Sequence, residues 1–398
     1  MKIKDVKINT DGDFAIISAQ CRIRRAGWDR AYFKFDRKNY YYLQPDASPF
    51  AAALLVPSMA LGEDLVVEGA ISERLYGGMR AIMKIISRWN IGLKPVNIIA
   101  ESLIPDQAEP RRIATFFSGG VDSFYTYLKH KKDFSDRISA FITINGFDID
   151  RGNKKLWTAA KGNVADVARH EGIEVVALES NLRELTDPIF PWSYTHGGCL
   201  AAAGLCLRRE FKKIYVPSSL GREQQIPWGS HLETDKLWSS EALFFDHDGT
   251  EARRVDKIAW QIAKSPLALS YLRVCYMNAK GAYNCGRCEK CVRTMTSLLA
   301  AGKLAEAKTF PNRIYPPDLL AAACVKRSVA IEHKDNLEML RKNNIANDLQ
   351  TVIEKGVTSP VDDAGGLLAR AARKIFYWDH MYLRGWGRKI KKAVFTHY

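Results

Sequence analysis

The chain has 398 residues, 47% of them hydrophobic and 26% charged, and a formal net charge of +15. That composition excludes an intrinsically disordered chain and suffices for two or three domains with a sizeable core. It holds no apolar run long enough to span a bilayer, and its charged, alternating start, MKIKDVKINTDGDF, is not a secretory leader, so a cytoplasmic protein without a transmembrane segment is expected.

In chain order, residues 1–108 read as a β-rich α+β module. VKINTDGDFAIISAQCRI, AYFKFD and YYYLQPD are short β-type runs bounded by Asp-Gly and Pro, and a helix is expected over 73–89. EPRR at 109–112 reads as a hinge. From 113 the rhythm changes. IATFF, ISAFITING, IEVVALE and KIYVPS are short apolar runs alternating with the helical stretches DSFYTYLKH, KLWTAAKGNVADVARHEG and GGCLAAAGLCLRREF. Alternation of this kind predicts an α/β fold with a doubly wound parallel sheet covered on both faces over residues 109–308. Residues 309–398 read as a helical C-terminal region. From 367 to the end there are eight Lys or Arg against one acid, Asp379, interleaved with Phe376, Trp378, Tyr382 and Trp386. Such a tail either meets an anionic partner, nucleic acid or a membrane surface, or docks as a helix on the protein's own core.

FFSGGVDS, residues 116–123, ends the first of these strands and opens a helix. A helix N-terminus carries unpaired N–H groups and partial positive charge, which makes it an anion site. Gly119 and Gly120 let backbone approach the anion, Ser118 and Ser123 add hydroxyls, and Asp122 in the first turn can cap the helix or hold a metal. The stretch is neither a Walker A loop nor G-x-G-x-x-G, because no Lys follows the glycines and their spacing differs. The plain alternative is a structural turn.

Four of the eight cysteines, Cys275, Cys285, Cys288 and Cys291, crowd into VCYMNAKGAYNCGRCEKC. Two CxxC steps sharing Cys288, with a fourth thiol upstream, predict a closed tetrahedral four-cysteine zinc site of structural type; free thiols, a redox pair or an iron–sulfur cluster are the alternatives. Cys199 and Cys206 read as small core residues.

Ser118-Gly119-Gly120-Val121-Asp122-Ser123 after an apolar strand resembles the PP-loop of the ATP pyrophosphatases, and the cysteine spacing after it resembles the zinc knuckle of 7-cyano-7-deazaguanine synthases. The match covers roughly residues 112–300; the N-terminal module, the tail and the base-reading segments of those synthases have no counterpart. The resemblance implies a PP-loop (HUP-like) fold and residues 118–123 gripping the β,γ-phosphates of ATP, with Mg²⁺. A carboxylate or amide oxygen of a small acid substrate would attack the α-phosphate, releasing pyrophosphate. Ammonia or another nitrogen donor would then displace AMP, making the chain a ligase with Ser118, Asp122 and Ser123 at the reaction. A nucleic-acid-modifying thiolase and a non-catalytic nucleotide-binding partner in a multi-protein system are the rival readings, and a homodimer is left open.

Around the turn, Asn145, with Ile144 and Phe147, either lines the adenosine or packs the core. Arg222 is the candidate phosphate clamp in the long polar loop VPSSLGREQQIPWGSHLETDKLWSSE, whose Ser218, Ser219, His231, Asp235, Ser239 and Glu241 are expected to build the substrate pocket, Asp235 by helping to hold Mg²⁺. His196, beside two glycines expected just ahead of a helix, either polarises substrate or caps the helix. Lys257 meets the leaving pyrophosphate or lies on a solvated helix face.

Overall fold

The computed structural model describes residues 1–358 apart from 25, 26, 134, 279, 280, 313 and 315–328. The basic tail expected at 367–398 lies outside the described residues. Among those described, no helix is long and apolar enough to cross a membrane.

The chain is an α/β protein built on one ten-stranded, mostly parallel sheet. The N-terminal part supplies β1 (Lys2–Asp11), β2 (Phe14–Arg24), β3 (Gly27–Asp36), α1 (Ser48–Leu61), β4 (Leu65–Ile71), α2 (Glu73–Ser87) and β5 (Ile98–Leu103). Then follow β6 (Arg112–Phe116), α3 (Val121–His130), β7 (Ala140–Asn145), α4 (Lys154–Glu171), β8 (Glu174–Ser180), α5 (Leu182–Thr186), α6 (Trp192–Leu205), β9 (Phe211–Pro217) and β10 (Phe244–Asp248). Helices α7 (Arg254–Trp260), α8 (Pro266–Tyr271) and α9 (Glu289–Ala300) precede two more at Ala330–Lys342 and Asn347–Thr358.

Strand order is β10-β9-β6-β7-β8-β3-β2-β1-β4-β5. The five strands from β10 to β8 are all parallel to their neighbours. Chain order across them runs third, second, first, fourth, fifth starting from β8, so the direction of winding reverses between β6 and β9. Ligands of open α/β sheets sit outside the carboxyl ends of the strands at such a reversal. Side chains alternate as the pleat requires. Ala114, Phe116, Ala140, Ile142, Ile214 and Val216 enter one core, shared with α1 and α6, whereas Ile113, Phe117, Phe141 and Tyr215 enter the other, beneath α3, α4, α8 and α9. Both faces are therefore covered, which is what makes these strands read as near-continuous apolar runs.

The N-terminal strands continue the same sheet: β3 pairs antiparallel with β8, placing Phe33 opposite Ser180 and Phe35 opposite Leu178. Helix α6 is rich in Gly and Ala because α1 crosses it at backbone distance; a Cβ on Gly198 would stand 2.5 Å from the Ala52 carbonyl oxygen. The helix starts at Trp192 rather than after the glycines, so Gly197 and Gly198 lie inside it and serve close packing, not an anion-binding N-terminus.

Candidate functional site

Residues 117–123 leave β6 at the reversal. The Phe117 amide still pairs with the Ile142 carbonyl (2.8 Å), and Gly120 is the N-cap of α3. Gly119 sits at φ +73°, the left-handed region that a side chain disfavours, and its carbonyl accepts from the Arg273 amide at 2.7 Å. The Ser123 hydroxyl donates back to the Gly120 carbonyl (3.0 Å), so it closes the turn, while Ser118 is exposed at its tip. Among the described residues, no protein acceptor takes the N–H groups of residues 118–123. The turn is a row of amides without protein acceptors at the N-terminus of a ten-residue helix.

Cations converge on it. Asp122 Oδ2 accepts from Arg254 Nη1 (2.9 Å) and from the Ser219 hydroxyl (3.4 Å), so the loop after β9 meets the loop after β6 across the reversal. Lys257 Nζ lies 3.6 Å from Asp122 Oδ1, an oxygen that is buried without a hydrogen bond. Burial alone would raise the Asp122 pKa, but the charges of Arg254, Lys257 and Lys290 overcome it and hold the carboxyl below its usual range. Lys257 is fully buried, donates to the Ser218 carbonyl, and has its ammonium pushed below the usual lysine range by desolvation. It does not lie on a solvated helix face. Burial, reinforced by Arg254, likewise lowers Lys290. Three cations thus act on the Asp122 carboxylate beside the free amides, and Arg254 also faces Glu332 at 3.6 Å.

The sulfur atoms of Cys275, Cys285, Cys288 and Cys291 lie within 4.8 Å of one another, with Cys275–Cys288 at 3.8 Å and Cys285–Cys291 at 3.9 Å. A tetrahedron with Zn–S bonds of about 2.3 Å has edges of about 3.8 Å, so these four fit a zinc ion and leave it no open position. Amides of Cys288 and Asn278 donate to Cys285 and Cys275 sulfurs at 3.3 Å each. Gly286, at φ +70°, makes the tight turn of the first CxxC step. Asn284 Oδ1 accepts from the Val274 and Cys275 amides, and Tyr283 donates to the Tyr271 carbonyl, so the knuckle braces the same 271–275 strip whose Arg273 amide holds Gly119.

The remaining sequence candidates fall into place around these two centres. Asn145, at the carboxyl end of β7, donates to Glu179 (2.9 Å) and keeps a buried Oδ1 without a hydrogen bond. Phe147 is core, edge-on to Trp192, and Ile144 packs half-buried against that core. Arg222 is exposed in a short turn, with only its amide fixed, on the Thr250 carbonyl. Asp235 is not available to a metal in this arrangement: Ser230 and His247 engage one oxygen and the His231 amide the other. Glu241 caps the N-terminal part through Ser72 and the amides of Arg74 and Asp106, and Ser239 accepts from the Phe245 amide, so both build the scaffold. His196 takes the Ser230 amide on Nε2 and meets the Trp192 carbonyl through Nδ1, which fixes the neutral tautomer and ties α6 to the polar loop. Cys199 and Cys206 are buried in the core.

Sequence reasoning missed Arg254, Arg273 and the site-facing charge of Lys290. Only the pair Arg253-Arg254 ahead of an apolar helix hinted at the first. Comparison with protein-family models, curated proteins and solved structures finds no match. The fold and the site stand on their own geometry.

Proposed function

We propose that the chain is an ATP-dependent adenylating enzyme of the ATP pyrophosphatase type. The observation that carries this reading is the set of unpaired amides at 118–123, placed where the sheet's winding reverses and flanked by Arg254, Lys257 and Lys290. In this reading the amides and these cations bind the β,γ-phosphates, and the α-phosphate faces the crevice between β6 and β9. A substrate carboxylate or amide oxygen attacks it in line, pyrophosphate departs, and a nitrogen nucleophile then displaces AMP. Catalysis is positioning and charge stabilisation, with no covalent protein nucleophile. Mg²⁺ would be held through Asp122, whose Oδ1 has no hydrogen bond and faces Lys257 Nζ at 3.6 Å, and would supply charge neutralisation on the phosphates.

The test is product analysis. Incubated with Mg²⁺, ATP and a panel of small carboxylic acids and ammonium, the protein should form AMP and pyrophosphate, resolved by ³¹P NMR; ADP and phosphate instead would refute the assignment. The net charge of +15 favours a second reading, in which the acceptor is a nucleic acid. Retention of the same AMP chemistry only when RNA is added, with binding that weakens steeply with salt, would favour it.

A further inference from the structure

The helix at Ala330–Lys342 lies beyond the knuckle, in the part of the chain that the resemblance to synthases does not cover, yet its polar face is built into the site. Glu332 is almost fully buried between two arginines: one oxygen pairs with Arg293 of α9, and the other lies 3.6 Å from Nε of Arg254, the residue that holds Asp122. At that separation neither Arg254 Nε nor Glu332 Oε2 has a hydrogen bond, and both are buried. Around this pair the helix is tied down at its buried polar positions. Asp335 accepts from Gln224 (2.7 Å) and from Arg253, Asn336 bridges Ser297 and the Arg293 carbonyl, and buried His333 meets Glu289 at 2.9 Å.

We propose that Glu332 is a positioning residue for the phosphate site. It holds the guanidinium of Arg254 so that an incoming phosphate takes Nη1 over from Asp122 while Nε closes onto Glu332. Two buried atoms that lack partners and face each other across 3.6 Å are costly as they stand, and a movement of about half an ångström satisfies both. The exchange also frees Asp122. The helix at Ala330–Lys342 is thus part of the nucleotide site rather than an appendage. This inference rests on the adenylation reading and needs a measurement that separates the two.

The full-length protein with Glu332→Gln, Glu332→Asp, Arg254→Lys and the double variant Arg254→Lys/Glu332→Gln answers it. ATP affinity is read by calorimetry, kcat and KM by pyrophosphate release, and folding by thermal melting. Glu332→Gln should raise the KM for ATP roughly tenfold, as loss of one partner of a buried charge pair does, with kcat changed less than about threefold. Glu332→Asp should recover part of the loss, and Glu332→Gln should have no further effect once Arg254→Lys has removed Nε. A KM unaffected by Glu332→Gln, or effects that simply add in the double variant, overturns the proposal while leaving adenylation intact. Should Glu332→Gln melt below assay temperature, Glu332→Asp decides by the same readout, since it keeps the charge but shortens the reach to Arg254 Nε: an unchanged KM for ATP in a folded Glu332→Asp overturns the proposal. Wild-type protein that neither binds ATP nor makes AMP sinks the adenylation reading, and this inference with it.

Discussion

Gly119 sits at φ +73° with its carbonyl on the Arg273 amide, and the amides that follow have no protein acceptor. Gly119→Ala places a Cβ in a conformation that disfavours it by roughly 1 kcal/mol, and the turn relaxes at the expense of those unpaired amides. ATP affinity measured by calorimetry should therefore fall several-fold more than stability does. Asp122 makes the opposite separation. It neutralises Arg254 and Lys257 in the free protein and, in the proposed reaction, contributes to charge balance at the phosphates. Asp122→Asn, which releases Arg254 to the phosphates, should leave ATP bound at least as tightly as in the wild type yet slow pyrophosphate release by about 10²-fold, the loss typical of one charge-stabilising group; unchanged turnover refutes its role. Asp248 shows what a purely structural carboxylate does here. Burial would raise its pKa, but bonds from His130, Lys129 and Thr126 bring it to about 2. A depressed carboxylate stabilises above its unfolded pKa of about 3.9, and that contribution, about 2 kcal/mol, is lost as pH falls from about 4 through 2. Urea midpoints of Asp248→Asn should be lower than wild type at pH 7 and converge with it below pH 3.

At the scale of elements, the strand–turn–helix at 113–130 and the cysteine cluster were legible because each is a local pattern: an apolar run, a Gly-Gly break and a first-turn acid in one, two CxxC steps in the other. Strand β10 was not. FFDHD sits at the end of a long polar stretch and pairs on one edge only, so it lacks the apolar run by which its neighbours announce themselves. Helix α1 was obscured by its Pro57 and by being buried almost all round, which erases the 3.6-residue alternation. Arg254 and Glu332 were illegible for a different reason: 78 residues separate two groups whose meaning lies in their contact. The knuckle has a consequence that sequence spacing does not convey, since Asn284 and Tyr283 brace the strip that holds Gly119. Cys288→Ser should abolish stoichiometric zinc, measured by elemental analysis, and lower the melting temperature by several degrees, consistent with metal binding energy acting as folding energy. It should also weaken ATP binding, because the Arg273 clamp loosens. Zinc retained at one ion per chain in that variant would rule out the four-thiolate site.

For the whole molecule, the decisive fact is that the strands before and after residue 109 form one sheet over one shared core. The seam is the β3–β8 ladder, reinforced where Asn181 Oδ1 takes the Tyr32 amide (3.0 Å) and the Ser180 hydroxyl reaches the Tyr32 carbonyl (2.8 Å). Behind it, α1 lies against α6 at Gly198, and buried Arg208 bridges from the end of α6 to Asp46 and Asp106 of the N-terminal part. Removing residues 1–108 would strip α1 from α6 and bare the edge of β8, leaving unpaired strand groups next to an exposed apolar face, the combination that drives edge-to-edge aggregation. Arg208→Ala is the gentler cut. It leaves two carboxylates facing a buried gap and should destabilise by about 3–5 kcal/mol. The fragment 109–398, expressed alone, should therefore be aggregated or unfolded by size-exclusion chromatography and circular dichroism, and adding residues 1–108 in trans should restore part of the fold and of ATP binding together. A monomeric fragment with a cooperative melt and undiminished ATP affinity would show that the nucleotide site needs neither the shared core nor the seam.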